Sequence, residues 1–203
     1  MLTLPHSSRE VALSLLDNRL LRMTEEEYLK FDRAAEYKSE FVAGEMYAMS
    51  GGRLRHADLA SLLLIELHGQ LKGRTCRVFN SDVRVRTPKS ASYFYPDLSV
   101  VCGEPQTFKD SDDILVSPIV LVEVLSPSTA DYDHGTKFAH YREIPTLEEY
   151  ILVHTDAILI EQYTRQNSGN WLLSEHEGME AELSLPSIDC SINLRAIYED
   201  AIA

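Results

Sequence analysis

The spacing of apolar and polar residues in the first part of the chain predicts a helix followed by a hairpin. Thr24 and Glu27 have the spacing of a capping box, which predicts a helix over roughly residues 25–36. Residues 40–49 contain two short β-prone stretches on either side of Gly44, a pattern typical of a small hairpin. The chain therefore opens its ordered part with one helix and two short strands.

A long helix and a series of strands follow. Leucines recur at helical spacing over residues 54–72, and Gly73 provides a stop signal. Residues 75–87, 93–102 and 118–125 are then rich in β-branched residues, and the last two runs are apolar enough to be interior strands. This order predicts a central helix beside a largely buried sheet.

The C-terminal part predicts one more helix, a hairpin and a short closing helix. We expect the helix over residues 132–143, the hairpin over 149–154 and 157–164, and the last helix near 193–198. The whole order predicts an α/β fold with a mixed central β-sheet flanked by helices, an extra N-terminal hairpin and extra C-terminal strands.

Composition places the chain among compact globular proteins. Its 203 residues are 44% hydrophobic and 25% charged, which excludes a disordered chain or a coiled coil. We predict an N-terminal arm over residues 1–22 and a single domain over 23–203. Charged residues interrupt residues 11–23, and no window approaches the ~20 apolar residues of a membrane span, so neither a signal peptide nor a membrane partner is expected. The three cysteines show no CxxC or zinc-ligand spacing, which fits a reducing cytoplasm.

The charge is unevenly distributed along the chain. The net charge of -13 argues against a protein that coats nucleic acid without regard to sequence. Residues 72–89 nevertheless carry six basic residues against one acid, whereas residues 148–203 carry two against eleven. The basic segment is the candidate for contact with DNA phosphates, through Lys72, Arg74, Arg84 and Arg86. A basic, solvated edge strand is an equally good interpretation of this segment.

Two carboxylates interrupt strands that are otherwise apolar. Asp97 heads one interior strand, and Glu123 lies within the next. An ionised acid without a partner costs several kcal/mol to bury, so such positions usually have a cation, a metal or strong hydrogen-bond donors beside them. Pairing of each acid with an arginine, or capping of a backbone turn, remains an open alternative from the sequence alone.

Lys137 stands on the helix that follows the Glu123 strand, from which its ammonium can return to the end of that strand. Together with Asp97 it would complete a cluster of two acids and one base. Two carboxylates hold a hard divalent cation such as Mg²⁺, which neutralises phosphate charge and activates water, while the lysine orients that water. The alternative is a surface lysine paired with Asp133 four residues earlier.

These residues resemble a known pattern that extends over most of the chain, from about Met23 to Tyr198. The resemblance is to a large bacterial family of restriction-endonuclease-like proteins, first classified as a domain of unknown function, within the PD-(D/E)XK nuclease superfamily. The matching segments are Pro96-Asp97, Glu123-Val124-Leu125-Ser126-Pro127-Ser128, Asp133, Lys137 and Tyr141 on the next helix, Glu149-Tyr150, and upstream Glu40-Phe41-Val42-Ala43-Gly44-Glu45 followed by His56.

The resemblance implies a restriction-endonuclease-like core and Mg²⁺-dependent hydrolysis of DNA phosphodiester bonds, with Mn²⁺ as a substitute. It assigns metal binding to Asp97 and Glu123, and positioning of the attacking water to Lys137. Glu40, as a further carboxylate, and His56, at the start of the long helix, are accessory candidates. One departure is that Leu125 stands where the superfamily motif has lysine, so Lys137 inherits that role from the next helix.

A second function class fits the same features. The acidic total charge and the absence of lysine at position 125 also suit a nuclease-like scaffold that binds nucleic acid or protein without hydrolysis. A two-carboxylate glycosidase is disfavoured, because nothing indicates an aromatic sugar platform between the acids. A homodimer is expected, since a two-fold enzyme treats both strands of a symmetric duplex alike.

Overall fold

The computed structural model of the protein describes residues 22–49, 51–127 and 129–201. The arm predicted over residues 1–22 therefore lies outside the described residues except for Arg22, whose backbone bridges to Glu45.

The described residues form four α-helices longer than three residues, one short helical turn, one π-helical segment and thirteen strands. The helices are α1 (Glu25–Asp32), α2 (Leu54–Leu71), α3 (Ala130–Tyr132), α4 (Phe138–Tyr141) and α5 (Arg195–Tyr198), with the π-helix at Asp133–Lys137 and 3₁₀ turns at Phe108–Asp110 and Pro186–Ile188. The strands are β1 (Ser39–Val42), β2 (Glu45–Ala48), β3 (Cys76–Asn80), β4 (Arg84–Arg86), β5 (Tyr93–Phe94), β6 (Leu98–Cys102), β7 (Ile114–Leu115), β8 (Val120–Val124), β9 (Glu149–Val153), β10 (Leu159–Arg165), β11 (Trp171–Glu177), β12 (Glu182–Leu185) and β13 (Cys190–Asn193).

A six-stranded mixed sheet forms the centre of the fold, as the sequence predicts. Its strand order is β11-β10-β9-β8-β6-β3. The neighbours β8 and β9 run parallel, and the other pairs are antiparallel. The helical region between β8 and β9 supplies the crossover that a parallel pair requires. The α/β fold class is therefore confirmed.

The predicted N-terminal hairpin, β1 and β2, belongs to a second sheet with the order β2-β1-β5-β4-β7. Two predicted strand runs, 75–87 and 93–102, each divide between the two sheets. The first run breaks at a turn in which the Asn80 side chain accepts from the Asp82 backbone N–H. The second breaks at Pro96, which has no N–H to continue a strand ladder. Asp97 consequently lies where the chain passes from one sheet to the other.

Strand β8 is buried on both faces, and its alternation decides where Glu123 points. Val120, Val122 and Val124 join the apolar cluster that contains the leucines of α2. Leu121 and Leu125 join the opposite cluster, with Phe138 and Tyr141 of α4. Because side chains alternate along a strand, Glu123 lies on the α4 side of the sheet.

The helix predicted over residues 132–143 is divided into α3, a π-helical turn and α4. The turn places both Asp133 and Lys137 in the interior, each less than a tenth exposed. Single π-helical turns recur at functional sites, because the extra residue redirects side chains that a regular helix would send elsewhere. A regular amphipathic pattern does not reveal such a turn, which is why the sequence predicts one continuous helix.

Cys76 and Cys102 face each other on the neighbouring strands β3 and β6 and form a disulfide. This differs from the reduced cysteines expected from the sequence, because spacing along the chain does not reveal the cross-strand register. Cys190 is a free, buried thiol. Within the described ranges, no helix is long and apolar enough to cross a membrane.

Candidate active site

Glu123 is the centre of a buried polar cluster beneath α4. Its side chain is 5% exposed, and its Oε1 lies 3.1 Å from the Lys137 Nζ. The Tyr141 hydroxyl donates to the same oxygen over 2.8 Å. The Tyr141 ring is fully buried, so this residue belongs to the core and also holds Glu123 through its hydroxyl.

The Lys137 ammonium group also contacts two further carboxylates, those of Glu40 and Asp133. Its Nζ lies 3.1 Å from Glu40 Oε1 and 3.2 Å from Asp133 Oδ1. All three side chains are less than a tenth exposed. The interpretation of Lys137 as a surface residue is therefore wrong: the pair with Asp133 exists, but it is buried and shared with Glu40 and Glu123.

Asp97 lies at the sheet junction, beside the end of β8. Its Oδ2 accepts the backbone N–H of Val124 over 2.7 Å, one residue beyond Glu123. His56, in the first turn of α2, brings its Nε2 to 3.3 Å from the same oxygen. The loop before α2 packs tightly on this histidine, since a Cβ at Gly52 would lie 3.0 Å from His56 Nδ1.

The cluster contains more acidic than basic side chains. Burial raises the pKa of Glu123 well above its ordinary value. Burial also opposes the charged form of Lys137, but the surrounding carboxylates outweigh it and raise the lysine pKa, so the group remains an ammonium. Four carboxylates thus share one lysine and His56. Carboxyl groups therefore outnumber basic groups, and a divalent cation beside them would favour the ionised form of Glu123.

The donor set fits the Mg²⁺ that the sequence resemblance implies. Mg²⁺ prefers oxygen ligands, and every acid of the cluster offers a carboxylate oxygen. Glu40 Oε1 and Asp133 Oδ1 are buried and contact the lysine, yet neither has a hydrogen-bond partner among the described residues. Buried acceptors without such partners indicate remaining capacity for a ligand or water. The sequence resemblance assigns metal binding to Asp97 and Glu123, and Glu40 and Asp133 add further carboxylates to the cluster.

The structure thus brings the five predicted site residues into two contacting groups. Asp97 and His56 form one, and Glu40, Glu123 and Lys137 form the other. The backbone of β8 joins the groups, because Asp97 accepts the N–H next to Glu123.

Two members of the predicted DNA-contacting segment serve the fold instead. Arg84 is 4% exposed and bridges Asp32 and Asp113. Arg86 pairs with Glu25 over 2.5 Å, and its side chain is 14% exposed. The assignment of Arg84 to phosphate contact is therefore wrong, because its charge is already neutralised inside the protein, and Arg86 is already paired with Glu25.

The other two basic residues are both exposed. Among the described residues, Arg74 has hydrogen-bond partners and Lys72 has none. Arg74 donates to the backbone carbonyls of Ile188 and Asp189, which ties β3 to the C-terminal strands. Lys72 is exposed just after α2. The predicted basic surface is therefore smaller than the sequence indicates, and Lys72 remains its clearest candidate for a phosphate contact.

The ion pair between His56 and Asp97 predicts a pH-dependent stability. The hydrogen bond to Asp97 raises the pKa of His56 above its ordinary value. Its contribution is fully present below the unfolded pKa of about 6.5 and disappears as pH rises through the higher folded pKa. We expect His56→Gln to destabilise the protein by about 1 kcal/mol more at pH 6 than at pH 9. Urea unfolding of both proteins across this range measures the difference, and a constant difference would contradict the pair.

Comparisons with known proteins agree with this fold. Residues 25–195 match the family model "Uma2: Putative restriction endonuclease". The chain is 34% identical to the uncharacterized protein slr1290 of Synechocystis over 87% of its length and 92% of that protein. It is 37% identical to the uncharacterized protein sll1609 of the same organism over 79% of this chain and 91% of that protein. A crystal structure described as "a putative nuclease belonging to DUF820" from Anabaena variabilis shares the fold, with a TM-score of 0.73, 18% identity, and coverage of 87% of this chain and 98% of that one. The chain belongs to the Uma2 family of restriction-endonuclease-like proteins.

Proposed function

We propose that this protein is a Mg²⁺-dependent endonuclease that hydrolyses DNA phosphodiester bonds. The observation that carries the proposal is the convergence of Lys137 on Glu40, Glu123 and Asp133, next to the pair formed by Asp97 and His56. Membership of a restriction-endonuclease-like family supports the same reaction class.

Each side chain has a distinct task in this proposal. Asp97 and Glu123 would hold the divalent cation, which would neutralise charge at the phosphate and lower the pKa of a bound water. Lys137 remains protonated and stabilises negative charge that develops on the phosphate, while it also positions the attacking water. The Tyr141 hydroxyl and the Val124 N–H fix the two carboxylates, so they keep their orientation when substrate binds.

His56 is placed to serve the substrate as well as Asp97. Its side chain is 23% exposed, whereas Lys137 and Glu123 are below a tenth. A protonated imidazole at the rim of an acidic site attracts a phosphate that the carboxylates would otherwise repel. We assign His56 to phosphate contact, together with Lys72, which follows the opposite end of α2.

A nuclease assay without mutation tests the proposal. We expect the full chain to convert closed circular DNA to nicked or linear forms with Mg²⁺ or Mn²⁺, and to lose this activity in EDTA. Circular duplex, linear duplex and single-stranded DNA are assayed in parallel, so that the preferred form of substrate is measured directly.

The second candidate is a non-hydrolytic scaffold, and one observation favours it. The Lys137 ammonium already lies among three carboxylates, where it acts as an internal cation. DNA retention without cleavage of any of the three substrates, with either metal, would contradict the nuclease and support the scaffold. In both cases the cytoplasmic location and the homodimer remain predictions from the sequence.

A further inference from the structure

A second group of ligand side chains lies outside the cluster around Lys137. His134 Nε2 is 2.9 Å from Glu161 Oε1, and His154 Nε2 is 2.8 Å from the same oxygen. The ligand atoms of all three residues lie within 4.8 Å of one another, and no other group of three in the described ranges meets this criterion. Three segments of the chain therefore each bring one ligand atom to within 4.8 Å of the other two.

Two parts of the fold position the ligands, since a π-helical segment carries His134 and the β9–β10 hairpin carries His154 and Glu161. His134 belongs to the π-helical segment, His154 directly follows β9, and Glu161 lies on β10. The backbone N–H of His154 donates to the Leu159 carbonyl, which closes the connection between the two strands. Since Glu161 pairs with Leu152 across the sheet, the hairpin fixes the carboxylate near His154.

Hydrogen bonding leaves the ring nitrogens that face Glu161 to bind a cation. His134 Nδ1 lies 2.7 Å from the Ala130 carbonyl oxygen, which is an acceptor only, so Nδ1 carries a proton. Nε2 then has a lone pair directed at a carboxylate, unless a second proton occupies it. A metal ion in that position replaces the proton and satisfies both groups. Such a partner on the second ring nitrogen is the usual arrangement for a histidine that ligates a metal.

His154 presents Nε2 to Glu161 as His134 does, and the group is accessible from solvent. The Asp156 carboxylate lies 3.7 Å from His154 Nδ1, the nitrogen that does not face Glu161. The side chains of His134, His154 and Glu161 are 32%, 20% and 12% exposed. The group is thus shielded but open to an ion from solvent.

We propose that His134, His154 and Glu161 form a zinc site. Two imidazoles and one carboxylate suit Zn²⁺, whereas Mg²⁺ prefers oxygen ligands alone. Bonds of about 2.0–2.1 Å in a tetrahedron place ligand atoms roughly 3.3 Å apart. The observed separations of 2.8 and 2.9 Å need only a small opening to reach that value. Three protein ligands leave a fourth position for water or a small ligand.

The proposed zinc site lies next to the candidate active site, because His134 belongs to the helical segment that carries Lys137. His134 immediately follows Asp133, and its π-helical segment ends at Lys137. The other two ligands come from the β9–β10 hairpin, so Zn²⁺ would link the helix to the hairpin. We infer that Zn²⁺ stabilises the position of the segment that carries Lys137, a role independent of DNA hydrolysis.

Titration of the full chain with Zn²⁺ alone, followed by calorimetry, tests the site. We expect one strong site per chain in the wild type and a loss of affinity of about tenfold or more in Glu161→Gln and in His154→Gln. Saturating Zn²⁺ should also raise the melting temperature of the wild type more than that of either variant. Co²⁺ in the wild type should give the intense visible absorption of a four-coordinate site.

Two control variants separate this site from the others. His68→Gln removes an exposed histidine near the end of α2, and Glu123→Gln removes the central carboxylate of the candidate active site. His68→Gln should bind Zn²⁺ as the wild type does, and Glu123→Gln should retain the strong site at His134, His154 and Glu161. If Glu161→Gln fails to fold by circular dichroism, His154→Gln decides. Absence of Zn²⁺ binding by the wild type, equal binding by the folded variants, or loss of binding in Glu123→Gln alone would each overturn the proposal.

Discussion

Replacement of Lys137 by methionine is expected to destabilise the protein by about 3–5 kcal/mol at neutral pH. The substitution preserves most of the side-chain volume but removes the ammonium that contacts Glu40, Glu123 and Asp133. Three buried carboxylates then face one another without a compensating charge, and they must ionise at high cost or take up protons. Urea unfolding followed by circular dichroism measures the change.

Lys38→Met is the matched control for this substitution. Lys38 pairs with Asp82 at the surface, where the two side chains are 39% and 73% exposed. Exposed pairs of this kind contribute less than about 1 kcal/mol. If Lys137→Met unfolds at the same urea concentration as Lys38→Met, Lys137 does not compensate the buried carboxylates, and the description of the cluster is wrong.

Asp97→Asn is expected to reduce metal-dependent DNA cleavage by about a thousandfold or more while the protein remains folded. The amide oxygen can still accept the Val124 N–H, which keeps the junction between the sheets. The loss of charge removes both a metal ligand and the partner of His56. Gel assays of circular DNA at matched protein concentrations measure the rate, and thermal unfolding verifies the fold.

Asp82→Asn provides the control for Asp97→Asn. It makes the same chemical change at a carboxylate that is 73% exposed and whose partners, Lys38 and Asn80, do not belong to the cluster. Cleavage by this variant should equal that of the wild type. Equal cleavage by folded Asp97→Asn would exclude Asp97 from the metal site and leave the nuclease proposal without one of its two ligands.

Much of the fold could be predicted from the sequence because the relevant signals are local. The capping box at Thr24 and Glu27 forms as predicted, with both reciprocal hydrogen bonds present. The leucine spacing of α2 and the Gly44 turn between β1 and β2 are also confirmed. Each of these features depends on residues a few positions apart, so a pattern of neighbours is sufficient.

The missed features depend on partners distant in the chain. Arg84 looks like a surface cation beside Arg86, yet its partners Asp32 and Asp113 come from other parts of the chain. Likewise His134 and Glu161 are 27 residues apart and meet only because β10 folds back beside β9. No spacing rule for metal ligands includes such a separation.

The candidate active site could be predicted from the sequence only in part. An acid within an apolar strand is a local anomaly, so Glu123 could be identified without a partner. Its neighbours Glu40 and Tyr141 required either the fold or the family resemblance, because they come from another sheet and from α4. The contribution of Asp133 was obscured by its ordinary helical spacing from Lys137, which suits an exposed pair equally well.

The most direct test of the central claim is a calorimetric titration of Mg²⁺ and Mn²⁺ into the full chain and into Glu123→Gln. Glu149→Gln is the control, since Glu149 is another fully buried glutamate, on the adjacent strand, whose partners are Gln162 and Ser187. We predict saturable binding by the wild type and by Glu149→Gln, and at least about tenfold weaker binding by Glu123→Gln, because the variant lacks a charged oxygen ligand. Absence of binding by the wild type, or equal binding by all three proteins, would contradict a metal site at Asp97 and Glu123.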